Sequence, residues 1–93
     1  MTSRSDSGAL EAVERILNRG GDPDDVLRDV VWTLERRTGA RVGVTRDAPP
    51  AGAQVHPIVW EGRKVATLWV DTDVHDALFA RVAVIVSPYC RER

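Results

Sequence analysis

The sequence predicts a small α+β domain, with two N-terminal helices, an antiparallel sheet of about three strands and one C-terminal helix. The chain has 93 residues, a length that fits a single domain. Apolar residues recur at helical spacing near both ends, and they alternate with polar residues in the middle. We therefore expect the order α-α-β-β-β-α, with a flexible polar lead over residues 1–8 and one domain over residues 9–93.

The first helix is predicted from Ala9 to about Arg19. Leu10, Val13 and Leu17 follow the spacing of one helical face. A glycine pair follows immediately, as glycine often does just past the end of a helix.

The second helix has the clearest start signal in the chain. Asp22 is suited to cap a helix, and Pro23 is suited to its first position. The helix is predicted to run to about Arg37, with an apolar stripe that includes Val30 and Leu34. Trp32 falls on nearly the opposite side of this helix, so we expect it to pack against the first helix or against another copy of the chain.

Three strands are predicted in the middle of the chain, over residues 41–45, 54–60 and 64–70. Glu61 and Gly62 mark a tight turn between the last two strands. In the third strand both faces are apolar, so this strand is expected to lie at the centre of the sheet.

The last helix is predicted from about Val74 to Val86, after a capping segment at 71–73. The β-branched run over residues 81–86 also fits a strand. Phe79, Val84 and Val86 widen the apolar surface beyond one stripe, which predicts that a partner covers the second side.

The chain resembles a GAF domain in two segments. One runs from Leu10 to Val44 and comprises a first helix and then the capped second helix, which leads through Thr38-Gly39-Ala40 into a short strand. The other is the hairpin from His56 to Val70, with its proline-apolar start, its glycine turn and a small residue before an apolar strand. An acidic stretch over residues 71–76 then precedes the last helix, as in that family. The resemblance implies a sensory or regulatory module.

The chain is shorter than a usual GAF domain because the middle segment of the family is missing. Residues 46–55 alone join the first strand to the hairpin. In GAF domains the middle segment supplies further strands and the helix that roofs the ligand pocket. The resemblance therefore implies a reduced domain without a pocket of the usual cyclic-nucleotide or tetrapyrrole kind.

Composition and motifs point away from several chemistries. The net charge is −1, which does not favour nucleic acid or a membrane surface as a partner. The acidic residues around His75, at 71, 73 and 76, lack the glycine and the final glutamate of a calcium-binding loop, so we interpret them as helix-capping residues. We expect no metal site, no cofactor and no catalytic residues. Cys90 is the single cysteine, its role stays open, and we expect a cytoplasmic protein.

Two functional hypotheses remain. In the first, a homodimer or another protein complex forms through an interface that includes Trp32, Phe79, Val84 and Val86. In the second, the chain is a small-molecule sensor whose pocket lies between the sheet and loop 46–55. The residues expected to line that pocket are Val55, Trp60 and Trp69.

Overall fold

The computed structural model describes residues 4–72 and 75–90 of the chain. The elements are α1 (Arg4–Arg19), α2 (Pro23–Thr38), β1 (Val42–Thr45), β2 (Gln54–Trp60), β3 (Arg63–Val70), α3 (Asp76–Ile85) and the one-turn helix α4 (Ser87–Cys90). This arrangement confirms the predicted α+β class and the predicted order of the main elements. The short helix α4 was not predicted.

The sheet has the strand order β1-β3-β2, and both pairings are antiparallel. The third strand is therefore central, as its two apolar faces predict. Ala66, Leu68 and Val70 of β3 are buried and form one face of the sheet together with Ile58 of β2. We call this the inner face, because α3 and α4 contact β2 and β3 and these residues belong to the same core as the helices.

The hairpin turn between β2 and β3 depends on two residues with positive φ. Glu61 has a φ of 53° and Gly62 a φ of 80°, as in the type I′ turns that suit the twist of a hairpin. By contrast, β1 and β2 run in the same direction on the two sides of β3. Residues 46–53 must therefore pass from one edge of the sheet to the other.

The start and the end of α2 agree with the sequence prediction. The side chain of Asp22 accepts a hydrogen bond of 2.9 Å from the backbone N–H of Asp24. Gly39 ends the helix in the left-handed conformation, and its N–H donates to the carbonyl of Glu35. These two caps fix the length of α2 and lead the chain directly into β1.

The start of α1 differs from the prediction, because the helix begins at Arg4 rather than at Ala9. Part of the expected lead over residues 1–8 is therefore helical. Extending a helix costs much less than starting one, and no proline precedes Ala9. Ala9 and Val13 of α1 are buried in the core.

The start of α3 also differs from the prediction. The helix begins at Asp76, and His75 is its N-cap without a side-chain cap hydrogen bond. The first helical bond within the described residues joins the N–H of Phe79 to the carbonyl of His75. The capping prediction that involves Asp73 lies outside the described residues. The segment from Arg81 onward is helical, which resolves the choice between helix and strand.

The broad apolar surface of α3 is covered by the chain itself. Phe79 and Val86 are 0% and 1% exposed, because α3 contacts α1, β2, β3 and α4. The prediction that these two residues lie at an interface is therefore wrong. Val84 is the other predicted interface residue on α3. It is 63% exposed and points away from the core.

The one-turn helix α4 packs the end of the described chain against β2, β3 and α2. Pro88 stands in its first turn, where the missing N–H of proline is tolerated. The hydroxyl of Tyr89 donates to the carbonyl of Leu17 in α1 at 3.0 Å. Cys90 is buried in the core.

Candidate functional site

Trp32 lies on the outward side of α2. The core positions of this helix, Val26, Val30 and Leu34, recur every four residues. Trp32 is two residues from Val30 and from Leu34, which is about half a helical turn. Its side chain is therefore directed away from the core, and 57% of the residue is exposed. The guanidinium carbon of Arg36 lies 4.6 Å from the centre of its ring.

A groove lies between α2 and the free edge of β1, and we call it the strand groove. Its volume is about 670 Å³. The helix contributes Leu27, Val31 and Trp32 to its wall, the strand contributes residues 43–46, and Ala66 also lines it. Apolar side chains thus lie next to an edge strand whose backbone groups on one side do not pair with another strand.

Glu35 occupies one end of the strand groove. Its Oε2 accepts a hydrogen bond of 3.2 Å from the backbone N–H of Val42, at the start of β1. In the antiparallel ladder the bonded pairs alternate. The backbone N–H of Asp71 donates to the carbonyl of Arg41, so Arg41 belongs to a hydrogen-bonded pair of the β1–β3 ladder. Val42 and Val44 alternate with such pairs, and their backbone N–H and C=O groups are therefore directed away from β3. Glu35 therefore satisfies one donor of this edge and leaves the groups of Val44 facing the groove.

Arg46 and Cys90 form the other end of the strand groove. The Nη2 atom of Arg46 donates to the carbonyl oxygen of Cys90 at 3.2 Å. Burial raises the pKa of the Cys90 thiol to about 11, although the nearby charge of Arg46 acts in the opposite direction. The thiol is therefore protonated at neutral pH and is a poor nucleophile.

A second groove lies on the other side of Trp32, between α1 and α2, and we call it the arginine groove. Its volume is about 390 Å³, and it is lined by Arg15, Arg36 and Arg37 together with Ala12, Ile16, Trp32 and Thr33. Among the described residues, no carboxylate lines it. The ion pairs found in the described part of the chain include none of these three arginines. The groove is therefore a concentration of positive charge on a chain whose net charge is −1.

Two of the three residues predicted to line a sensor pocket are neighbours on the sheet. Val55 is directly opposite Trp69 in the β2–β3 ladder, so these two side chains lie side by side. Trp60 lies further along β2, opposite Arg63 and beyond an irregularity in the ladder between Ile58 and Val59. The ladder therefore groups Val55 with Trp69, and a pocket that they share with Trp60 remains a prediction.

Trp69 packs against the backbone of β1. It is opposite Gly43 in the β1–β3 ladder, and a Cβ atom at position 43 would lie only 2.5 Å from the indole ring. Trp69 therefore depends on a glycine at position 43. Whether Val55 and Trp69 bind a ligand remains a prediction.

His56 is the one histidine that faces the core. Its ring stacks with that of Phe79, with centroids 6.3 Å apart. Its Nε2 atom lies 3.4 Å from Oδ1 of Asp76, but no hydrogen bond to this nitrogen is found among the described residues. Within that part of the chain, no group of three or more histidine, cysteine, aspartate or glutamate residues is placed to hold a metal ion.

Sequence reasoning identified Trp32 but missed both grooves beside it. Each groove is formed by elements that are far apart in sequence, such as α2 with β1 or Arg15 with Arg36. The spacing of residues along one helix gives no information on the rotation of a neighbouring helix.

Comparison with protein-family models, with curated proteins and with solved structures finds no match to this chain. Among the described residues, no helix has both the length and the apolar character that are needed to cross a membrane. The features of the described chain that bear on function are therefore the exposed Trp32 and the two grooves that border it.

Proposed function

We propose that this chain is a GAF-like regulatory module that acts mainly through homodimerisation or another protein contact, and that it is not an enzyme. The proposal takes its compartment to be the cytoplasm, on the sequence grounds given above. The observation that carries it is the position of Trp32, which stands on an exposed helix between two grooves.

The size of Trp32 gives the contact its expected strength. A tryptophan exposes roughly 200 Å² when it is free, so the 57% that remains exposed here corresponds to roughly 110 Å². Burying this area in an interface would stabilise the complex by about 3 kcal/mol per copy. Tryptophan is also among the residues that most often dominate interface energies.

The test is the oligomeric state of the full chain as a function of concentration, measured by analytical ultracentrifugation. We expect the wild type to form dimers, and we expect Trp32→Ala to raise the dissociation constant at least a hundredfold. Val59→Ala is the matched control, because Val59 is also well exposed but lies on β2 and belongs to no predicted interface. A wild type that stays monomeric at millimolar concentration, or a dimer that responds to Val59→Ala and not to Trp32→Ala, would refute the proposal.

A second candidate function is that of a small-molecule sensor. The strand groove favours it, because its volume of about 670 Å³ lies within the range of ligand sites. A bound ligand raises the melting temperature of the protein that binds it. A metabolite screen by thermal shift should therefore yield hits that Val31→Arg abolishes. Absence of any hit from the screen would count against this candidate.

A further inference from the structure

We propose that two copies of the chain pair through α2 in antiparallel orientation, so that the arginine groove of each copy receives the acidic first turn of α2 from the other. This inference rests on the proposed function. It adds the surface, the orientation and the charges that select the partner.

Charge is divided along α2. The first turn carries Asp24 and Asp25, and the last turn carries Arg36 and Arg37. Asp25 and Arg36 lie about 16 Å apart along the axis, which is too far for an ion pair within one helix. The exposed Trp32 lies between the two charged ends. The outward side of α2 therefore carries an acidic residue near its start, Trp32 in its second half and a basic residue near its end. Between Asp25 and Trp32 lie Arg28 and Asp29, which pair with Asp25 and Arg19 within the chain.

The spacing of these residues fits a two-fold axis. Asp25 and Arg36 each lie two residues from their own end of the helix, which runs from Pro23 to Thr38. An antiparallel copy aligned end to end would therefore place Asp25 opposite Arg36 twice, once on each side of the axis. Both copies would use the same patch, as in most homodimers. A parallel copy would bring like charges together, which is unfavourable.

A negative charge placed in the arginine groove would reduce the repulsion among the arginines that line it. Arg15, Arg36 and Arg37 line the same groove, and no carboxylate in the described part of the chain lines it with them. Like charges held together are stabilised by an opposite charge at the same place. The first turn of α2 on a second copy supplies that charge. The exposed pair of Asp25 with Arg28, at 3.8 Å, would cost little to rearrange because surface pairs of this kind contribute little.

The test is a charge-swap experiment on the full chain, monitored by analytical ultracentrifugation. Asp25→Arg and Arg36→Glu should each raise the dissociation constant of the homodimer at least tenfold, because like charges then meet twice. An equimolar mixture of the two variants should recover a heterodimer close to the wild-type affinity, since both opposite-charge contacts are restored. Circular dichroism establishes that each variant is folded, and Arg81→Glu gives the same change of charge on α3 as a control.

The outcomes separate this inference from the proposed function. A wild-type dimer that both variants retain unchanged would overturn the inference while leaving homodimerisation standing. Loss of the dimer in both variants without recovery on mixing would overturn it as well. Inorganic phosphate is the remaining probe. If phosphate raises the melting temperature of the wild type but not of Arg36→Glu, and does not dissociate the dimer, the groove binds free anions and the inference fails. A monomeric wild type would refute both proposals.

Discussion

Replacing Gly43 with alanine would place a methyl group 2.5–2.6 Å from three atoms of the Trp69 indole ring. Real Cβ atoms do not approach other atoms so closely, so either the ring or the strand must move. Gly43 is not among the glycines with positive φ, so the new side chain adds no backbone strain. The whole cost of Gly43→Ala therefore comes from its contact with Trp69.

The magnitude follows from two opposing effects. Overpacking of a well-fitted contact costs about 1–3 kcal/mol. Replacing glycine within a strand gains roughly 0.5–1 kcal/mol, because alanine loses less backbone freedom on folding. We therefore expect Gly43→Ala to lower the free energy of unfolding by about 1–2 kcal/mol. In a Trp69→Val background the contact is absent, and the same change should be neutral or slightly stabilising.

The assay is urea denaturation followed by circular dichroism, arranged as a double-mutant cycle of Gly43→Ala and Trp69→Val. Gly8→Ala is a useful control because a Cβ atom there meets only the end of the flexible Arg37 side chain, at 3.4 Å. That substitution lies in α1 and should stabilise the protein. A coupling energy close to zero in the cycle would show that Trp69 does not pack on Gly43, and it would refute the reasoning on the sheet.

Two further predictions concern α2 and the buried thiol. Asp22→Ala removes the side chain that caps α2 and should lower the free energy of unfolding by about 1 kcal/mol. Asp22→Asn keeps a capping oxygen and should retain most of that stability. Equal losses for the two variants in urea denaturation would contradict a capping role. Because the pKa of Cys90 is raised from 9.0 to about 11, the unfolded chain loses this proton first as pH rises. The stability contributed by the neutral thiol is therefore full below pH 9 and is lost by roughly 2–3 kcal/mol as pH approaches 11. Urea denaturation at pH 8 and pH 10.5 should show that the wild type loses more stability than Cys90→Ala over this interval, and parallel losses would refute it.

Much of the fold followed from local signals in the sequence. The Asp22 cap and the Gly39 end of α2 depend on residues that are neighbours along the chain, and the structure places them as predicted. The strand β2 matches its predicted bounds of 54–60 because its ends are set by a glycine turn and a proline-rich loop. Local chemistry decides such boundaries, so a single sequence contains the necessary information.

The failures occur where distant elements decide the outcome. The sequence predicts a partner at Phe79 and Val86, because α3 is apolar around much of its circumference. The sequence did not reveal that α1, both hairpin strands and α4 all converge on this helix. The apolar surface at Phe79 and Val86 is therefore buried within one chain, and no partner is required to cover it.

The burial of α3 within the chain leaves α2 as the helix whose exposed side favours association. Once α3 is covered from within, Trp32 is the largest of the well-exposed hydrophobic side chains in the described chain. It also lies where one helix carries opposite charges at its two ends. A surface tryptophan alone is a weak indication of a partner, because single exposed apolar residues are common. Its place between the arginine groove and the strand groove makes the indication specific, because both the shape and the charge of the partner are then constrained.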